Sequence, residues 1–169
     1  MAIGVTGPWT ENVQSNKRML REFFYWRLRD PAFNLVELDI DIRTGALAGI
    51  GIPLYNGGLH DLSESTHKES DRDGQGIPCF DLAPWASILH DRDRVTKYFD
   101  FPGRCQFELK GRTLRIALFT EAISFRVLVN NSFVCEFNEQ GEFCAFVLKY
   151  LEESEVMAIQ SYVNRRRPR

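Results

Sequence analysis

The chain has no run of about 18 apolar residues, so no helix in it is expected to cross a bilayer. Its first stretch, MAIGVTGPWTENVQSN, lacks the basic and apolar regions of a signal peptide, and the expectation is a cytoplasmic protein. No pair among Cys79, Cys105, Cys135 and Cys144 has C-x-x-C spacing, which argues against a zinc site or a redox motif. Three of these cysteines sit in apolar strand-like runs, so the four are expected to be reduced and buried as small hydrophobes.

Catalytic signatures are equally scarce. The sequence contains no H-E-x-x-H and no G-x-S-x-G, and no cysteine stands beside a histidine. The segment GIGIP lacks the third glycine and the following helix that would cradle a phosphate. No catalytic residue, no metal and no cofactor is therefore expected. Basic charge is short as well once the tail is set apart. Formal net charge is −2, from 21 basic and 23 acidic residues, but four arginines lie among the last five positions, in NRRRPR. Without them the balance is 17 against 23, or −6. A mildly acidic body does not suit nucleic acid, whose binders displace counterions with a basic face; it suits a basic protein partner.

What the chain does have is core-forming material: 169 residues, 44% of them hydrophobic, with 13 phenylalanines. That suffices for a single domain over residues 1–169. Val13, Leu20, Phe23, Phe24 and Leu28 keep helical spacing, which predicts a helix over 11–29, capped by Thr10 and stopped before Pro31.

FNLVELDIDIRTGALAGIGIP predicts a hairpin turning through Ile42-Arg43-Thr44-Gly45, with Gly45 left-handed. Its register sets Ile40 opposite Ala48, Leu38 opposite Ile50 and Val36 opposite Ile52, which makes one face wholly apolar. VCEFNEQGEFCAFVL repeats the device at Asn138-Glu139-Gln140-Gly141, opposing Phe137 to Phe143, Cys135 to Ala145 and Phe133 to Val147. Further hairpins about Lys110-Gly111 and Asn130-Asn131 predict an antiparallel meander over 105–148. A closing helix starts among Glu152, Glu153 and Glu155, where its dipole favours anions, and buries Val156, Ile159 and Val163. Its C-terminal end runs into a basic tail at 164–169, read as a solvated end that complements the dipole. The expected fold class is α+β: about six strands in antiparallel Gly-turn hairpins, with an N-terminal and a C-terminal helix packed on them.

Residues 55–80 read as a long polar surface loop, followed by a short helix opened by Pro84. Within the loop, ESDRDGQG imitates the start of a calcium loop, with Glu69 first and Gly74 sixth. The twelfth position is Phe80, which cannot ligate through its side chain, so calcium is rejected. His60, His67 and Asp71 could serve a transition metal, but nothing in their spacing makes them converge, and His90 reads as a helix-end surface residue.

Glu37, Asp39 and Asp41 carry the sharper signal. Strand alternation puts all three on one face, about 6.5–7 Å apart, with only Leu47, Gly49 and Gly51 opposite. With the loop carboxylates Glu64, Glu69, Asp71 and Asp73 they make two candidate acidic contact patches. Tyr55 and Trp85, near irregular segments, are the candidate aromatic anchors.

FRVLVNNSFVCEFNEQGEFCAFVLKYLEESE and VELDIDIRTGALAGIGIPLYNG resemble the endings and hairpins of bacterial immunity proteins from contact-dependent growth inhibition and related polymorphic toxin systems. The likeness covers about a third of the chain and rests on no diagnostic motif. It implies a cytoplasmic protein that binds the toxin domain of a delivered effector, often a nuclease, and covers its basic cleft with acids. Two other readings stand beside it: a metal-assisted nuclease or hydrolase using the His- and acid-rich loop, and an adaptor or subunit of another assembly.

Overall fold

A computed structural model describes residues 22–30, 34–61, 73–91, 97–119 and 122–164. The architecture is α+β and mostly β, with a four-stranded and a seven-stranded sheet, both mixed, and two α-helices among the described residues. No described helix is long and apolar enough to cross a membrane.

The four-stranded sheet contains β1 (Phe23–Arg29), β2 (Leu35–Asp41), β3 (Leu47–Leu54) and β6 (Lys97–Pro102), in the order β3-β2-β1-β6. Strand β1 corrects the expectation of an N-terminal helix over 11–29; the part of that helix before residue 22 lies outside the described residues. FFYWRLR satisfies two periods at once. Phe24 and Leu28 suit a helix, but Phe24, Trp26 and Leu28 also alternate, and these three are the buried ones. Three aromatics in a row favour the pleated surface, and pairing with β2 on one side and β6 on the other decides the contest.

The hairpin β2–β3 keeps its predicted centre. Leu38 pairs with Ile50, and Gly45 adopts φ +72°. Irregularities at both ends shift the rest, so Ile40 pairs with Leu47 instead of Ala48. The shift has a packing reason: it buries Leu47 and leaves Ala48 exposed, where the regular register would have put Leu47 on the acidic face.

The larger sheet runs β4 (Leu59–Asp61), β7 (Gln106–Lys110), β8 (Thr113–Ala117), β11 (Phe143–Leu148), β10 (Phe133–Phe137), β9 (Phe125–Asn130) and β5 (Gly74–Gln75). Residues 105–148 are thus not a simple meander, because β8 pairs with β11 and leaves β9 beyond β10. The expected count of about six strands becomes eleven among the described residues. The turn at Asn138 holds as read, with Gly141 at φ +84° and Phe137 opposite Phe143. A bulge then sets Glu136 against Ala145 and Cys135 against Phe146, displacing the predicted Cys135–Ala145 pair. The extra residue is Cys144, whose carbonyl accepts hydrogen bonds from the N–H groups of Leu118 and Phe119. The stretch 55–80 is not one open loop, since β4 and β5 both add to this sheet; residues 62–72 lie outside the described set.

One apolar core joins the two sheets, from Phe24, Leu38 and Ile40 on the smaller to Ile116, Cys135 and Phe146 on the larger. Helix α1 (Ala86–Leu89), continuing a 3-10 turn with Pro84 at its start, packs Ile88 and Leu89 against that core. Helix α2 (Glu153–Asn164) buries Ile159 and Val163 as expected, while Val156 is half-buried. Glu155 accepts the backbone N–H of Glu152, satisfying a donor just before the helix. The arginines from 165 onward lie outside the described residues. Three cysteines are buried as expected; Cys79 is exposed and corrects the fourth. Burial pushes the thiols of Cys105 and Cys135 up to about 12.

Candidate functional site: an acidic sheet face

The outer face of the four-stranded sheet carries the most developed arrangement of charge. Alternation along β2 turns Val36, Leu38 and Ile40 into the core and leaves Glu37 and Asp39 half-buried on the other side. Strand pairing sets Glu37 between Arg27 and Gly51, and Asp39 between Tyr25 and Gly49. On β6, Tyr98 lies opposite Tyr25 and Asp100 opposite Arg27.

Arg27 decides the electrostatics of this face. Its Nε donates to Asp100 at 2.7 Å, and its guanidinium carbon stands 3.9 Å from the Tyr98 ring centroid. Arg29 adds a second hydrogen bond to Asp100 at 3.2 Å. Burial alone would raise the Asp100 carboxyl, but the two arginines hold it below its usual value. The cationic strength of β1 is thereby spent toward β6 and away from β2.

Glu37 and Asp39 show the opposite shift. Burial raises the Glu37 carboxyl, the neighbouring Asp39 raises it further, and Arg27 offsets only part of this. Burial likewise raises Asp39. Neither carboxylate has a hydrogen-bond or ion-pair partner among the described residues. The Tyr25 hydroxyl is pushed up by burial and by the two acids beside it. The glycines opposite give Asp39 room to lean: its Oδ2 lies 2.8 Å from where a Cβ on Gly49 would stand. At Gly51 such a Cβ would make ordinary van der Waals contacts with Glu37 Cβ and Pro53 Cδ, both at 3.9 Å, without a clash.

The remaining sequence candidates fall in other places. Asp41 belongs to the turn, where its Oδ1 accepts the N–H groups of Arg43 and Thr44 and the Thr44 hydroxyl. Asp73 accepts the N–H of Arg126 at 2.7 Å and fastens β5 beside β9. Tyr55 is buried, with its ring stacked on Phe107 at 3.6 Å and its hydroxyl donating to Gly58 O; burial pushes that hydroxyl up to about 12. Trp85 is half-buried against Phe24, with centroids 5.0 Å apart. Both aromatics are packing residues in this fold and offer no free anchor. Glu64, Glu69, Asp71 and His67 lie outside the described residues, so the loop patch is not described. His60 and His90 are exposed, and no cluster of three potential metal ligands occurs among the described residues.

Sequence reasoning missed Tyr25, Arg27, Tyr98 and Asp100, which complete the face. The alternation of Phe24, Trp26 and Leu28 was the available signal for the first two. It also missed Glu136, which is 1% exposed and held by Arg115 at 2.7 Å and Arg126 at 2.7 Å, while Glu108 grips Arg115 from the far side. Every charge in that row has a partner, which marks it as structural.

No family model matches the chain, and no curated protein sequence matches it.

Proposed function

We propose that this chain is an immunity protein that binds and neutralises a toxin domain with a basic, nucleic-acid-binding cleft, acting in the cytoplasm and without catalysis of its own. The observation that carries the reading is the pair Glu37 and Asp39, two carboxylates on an open sheet face that the nearest arginine does not neutralise.

Such groups have part of their desolvation built into the fold, so an arriving lysine or arginine meets acids already stripped of some water. That lowers the cost of binding, and the surrounding negative potential speeds encounter. Acids spaced about 7 Å apart along a strand resemble the spacing of successive backbone phosphates closely enough to occupy cationic subsites. Tyr25, paired with Asp39 across the strands, offers flat amphipathic contact area. Glu64, Glu69 and Asp71 remain in the proposal as a second acidic contact on the strength of the sequence alone.

The proposal expects a toxin gene directly beside this one, and the test is co-expression with the C-terminal domain of that toxin. A stable complex and loss of nuclease activity support the reading; an active toxin in the presence of excess chain contradicts it. Metal analysis of the purified chain and hydrolysis assays on RNA and DNA address the nuclease alternative, which stoichiometric metal lost on His60→Ala or His67→Ala would favour.

A further inference from the structure

From the free edge of β3 we infer that the partner adds an extended, basic strand there, with lysine or arginine side chains crossing Gly49 and Gly51 toward Asp39 and Glu37. The inference deepens the acidic-face reading and rests on it.

Among the described residues β3 ends its sheet, with β2 as its one strand neighbour. The segment around Pro78 covers only its start, through Leu47 N–H to Pro78 O and the Ala46–Cys79 bridge. Edge strands are ordinarily protected by charged side chains, proline, bulges or shortness, because their unpaired N–H and C=O groups recruit other strands. LAGIGIPL spans eight residues without one charged side chain; its proline is the seventh, and its two irregularities lie toward its ends and leave Gly49–Gly51 in regular register with β2. Ala48 and Pro53 are exposed, so the stretch between them borders solvent. A strand added there would gain main-chain hydrogen bonds independent of its sequence.

Side-chain placement then selects the partner's chemistry. An added strand lies about 4.8 Å from β3 and twice that from β2. Ordinary residues on the outer face of β3 would block a reach across it, but Gly49 and Gly51 do not. Asp39 already leans over Gly49, which brings its carboxylate to the edge. Long cations at alternate positions of the added strand meet these acids; acidic residues there would be repelled.

A nine-residue peptide with lysine at alternate positions and valine between, and its glutamate counterpart, test this on the full chain by amide exchange and NMR titration. The lysine peptide should bind at least about tenfold more tightly and slow exchange of the amides in Gly49–Ile52 that point away from β2 by a similar factor. Gly51→Lys adds a Cβ without a clash, places a cation beside Glu37, and should weaken lysine-peptide binding about tenfold with the melting temperature unchanged. Equal binding of both peptides, unchanged exchange of those outward-pointing amides, or their slow exchange before any peptide is added would each overturn the inference. Neutralisation of the toxin with β3 amides still exchanging freely in the complex would overturn this inference alone and leave the acidic-face reading standing.

Discussion

Asp39 leans across Gly49. Its Oδ2 lies 2.8 Å from the position a glycine Cβ would take, and its carboxyl is raised by burial. Asp100, on the same face and two strands away, is held below its usual value because Arg27 and Arg29 outweigh its burial. Two aspartates on one face therefore stand on opposite sides of the ordinary carboxyl value.

Opposite shifts predict opposite pH effects. A raised folded carboxyl means that ionisation costs stability at neutral pH, and the cost disappears as pH falls through the folded value to the unfolded one, about 3.9. Asp39→Asn should thus raise the melting temperature at pH 7 by about 1 °C, with no gain left at pH 3. Asp100→Asn should lower stability by about 0.5–1 kcal/mol at pH 7, and that loss should fade as pH falls through the depressed folded value. Melting curves of both variants across this range check the signs; a loss of stability for Asp39→Asn at pH 7 contradicts the first.

Glu136 should be the costliest charge to remove. Truncation to alanine leaves Arg115 and Arg126 without their buried anion, and a loss of about 3–5 kcal/mol is expected by urea unfolding. A loss under about 1 kcal/mol would show that these arginines find water or another partner cheaply.

The two left-handed turn glycines should separate. Gly141 at φ +84° has open space around it, so Gly141→Ala costs only the backbone conformation, about 1 kcal/mol. Gly45 at φ +72° would press a methyl to within 2.2 Å of the Phe80 carbonyl oxygen, and about 2 kcal/mol or more is expected for Gly45→Ala. Equal losses at the two positions would mean that residues 79–80 do not hold the turn as described.

Thiol chemistry offers an inexpensive check of the core. Cys79 is exposed while Cys105, Cys135 and Cys144 are buried, so a thiol reagent should modify one cysteine quickly in the native protein and four after unfolding. Fast modification of two or more would contradict the burial of Cys105, Cys135 and Cys144.

Much of the β structure was legible because glycine turns announce themselves. Gly45 and Gly141 both took the left-handed conformation read from the sequence, and Leu38 found Ile50. What escaped was set by distant partners. FFYWRLR fits a helix until β2 and β6 close on it, and no local pattern reveals that β6 arrives parallel. The bulges at Leu47–Ala48 and Cys144 follow from which side chain the core accepts, a choice made across the sheet. The acidic face was half legible: alternation placed Glu37 and Asp39 together, but only tertiary structure shows Arg27 turned toward Asp100. Asp41 and Asp73 illustrate the limit of reading acids as contacts, since both are fastened to backbone N–H groups.

The most direct test of the proposed acidic contact is the rate at which the chain associates with the cognate toxin domain that the proposal requires. Stopped-flow measurement should compare wild type with Glu37→Lys/Asp39→Lys at low and high salt. The expected result is a fall of about tenfold or more in association rate at low salt, with the difference shrinking as salt rises. A double variant that remains folded and associates at the wild-type rate under both conditions would contradict the assignment of this face.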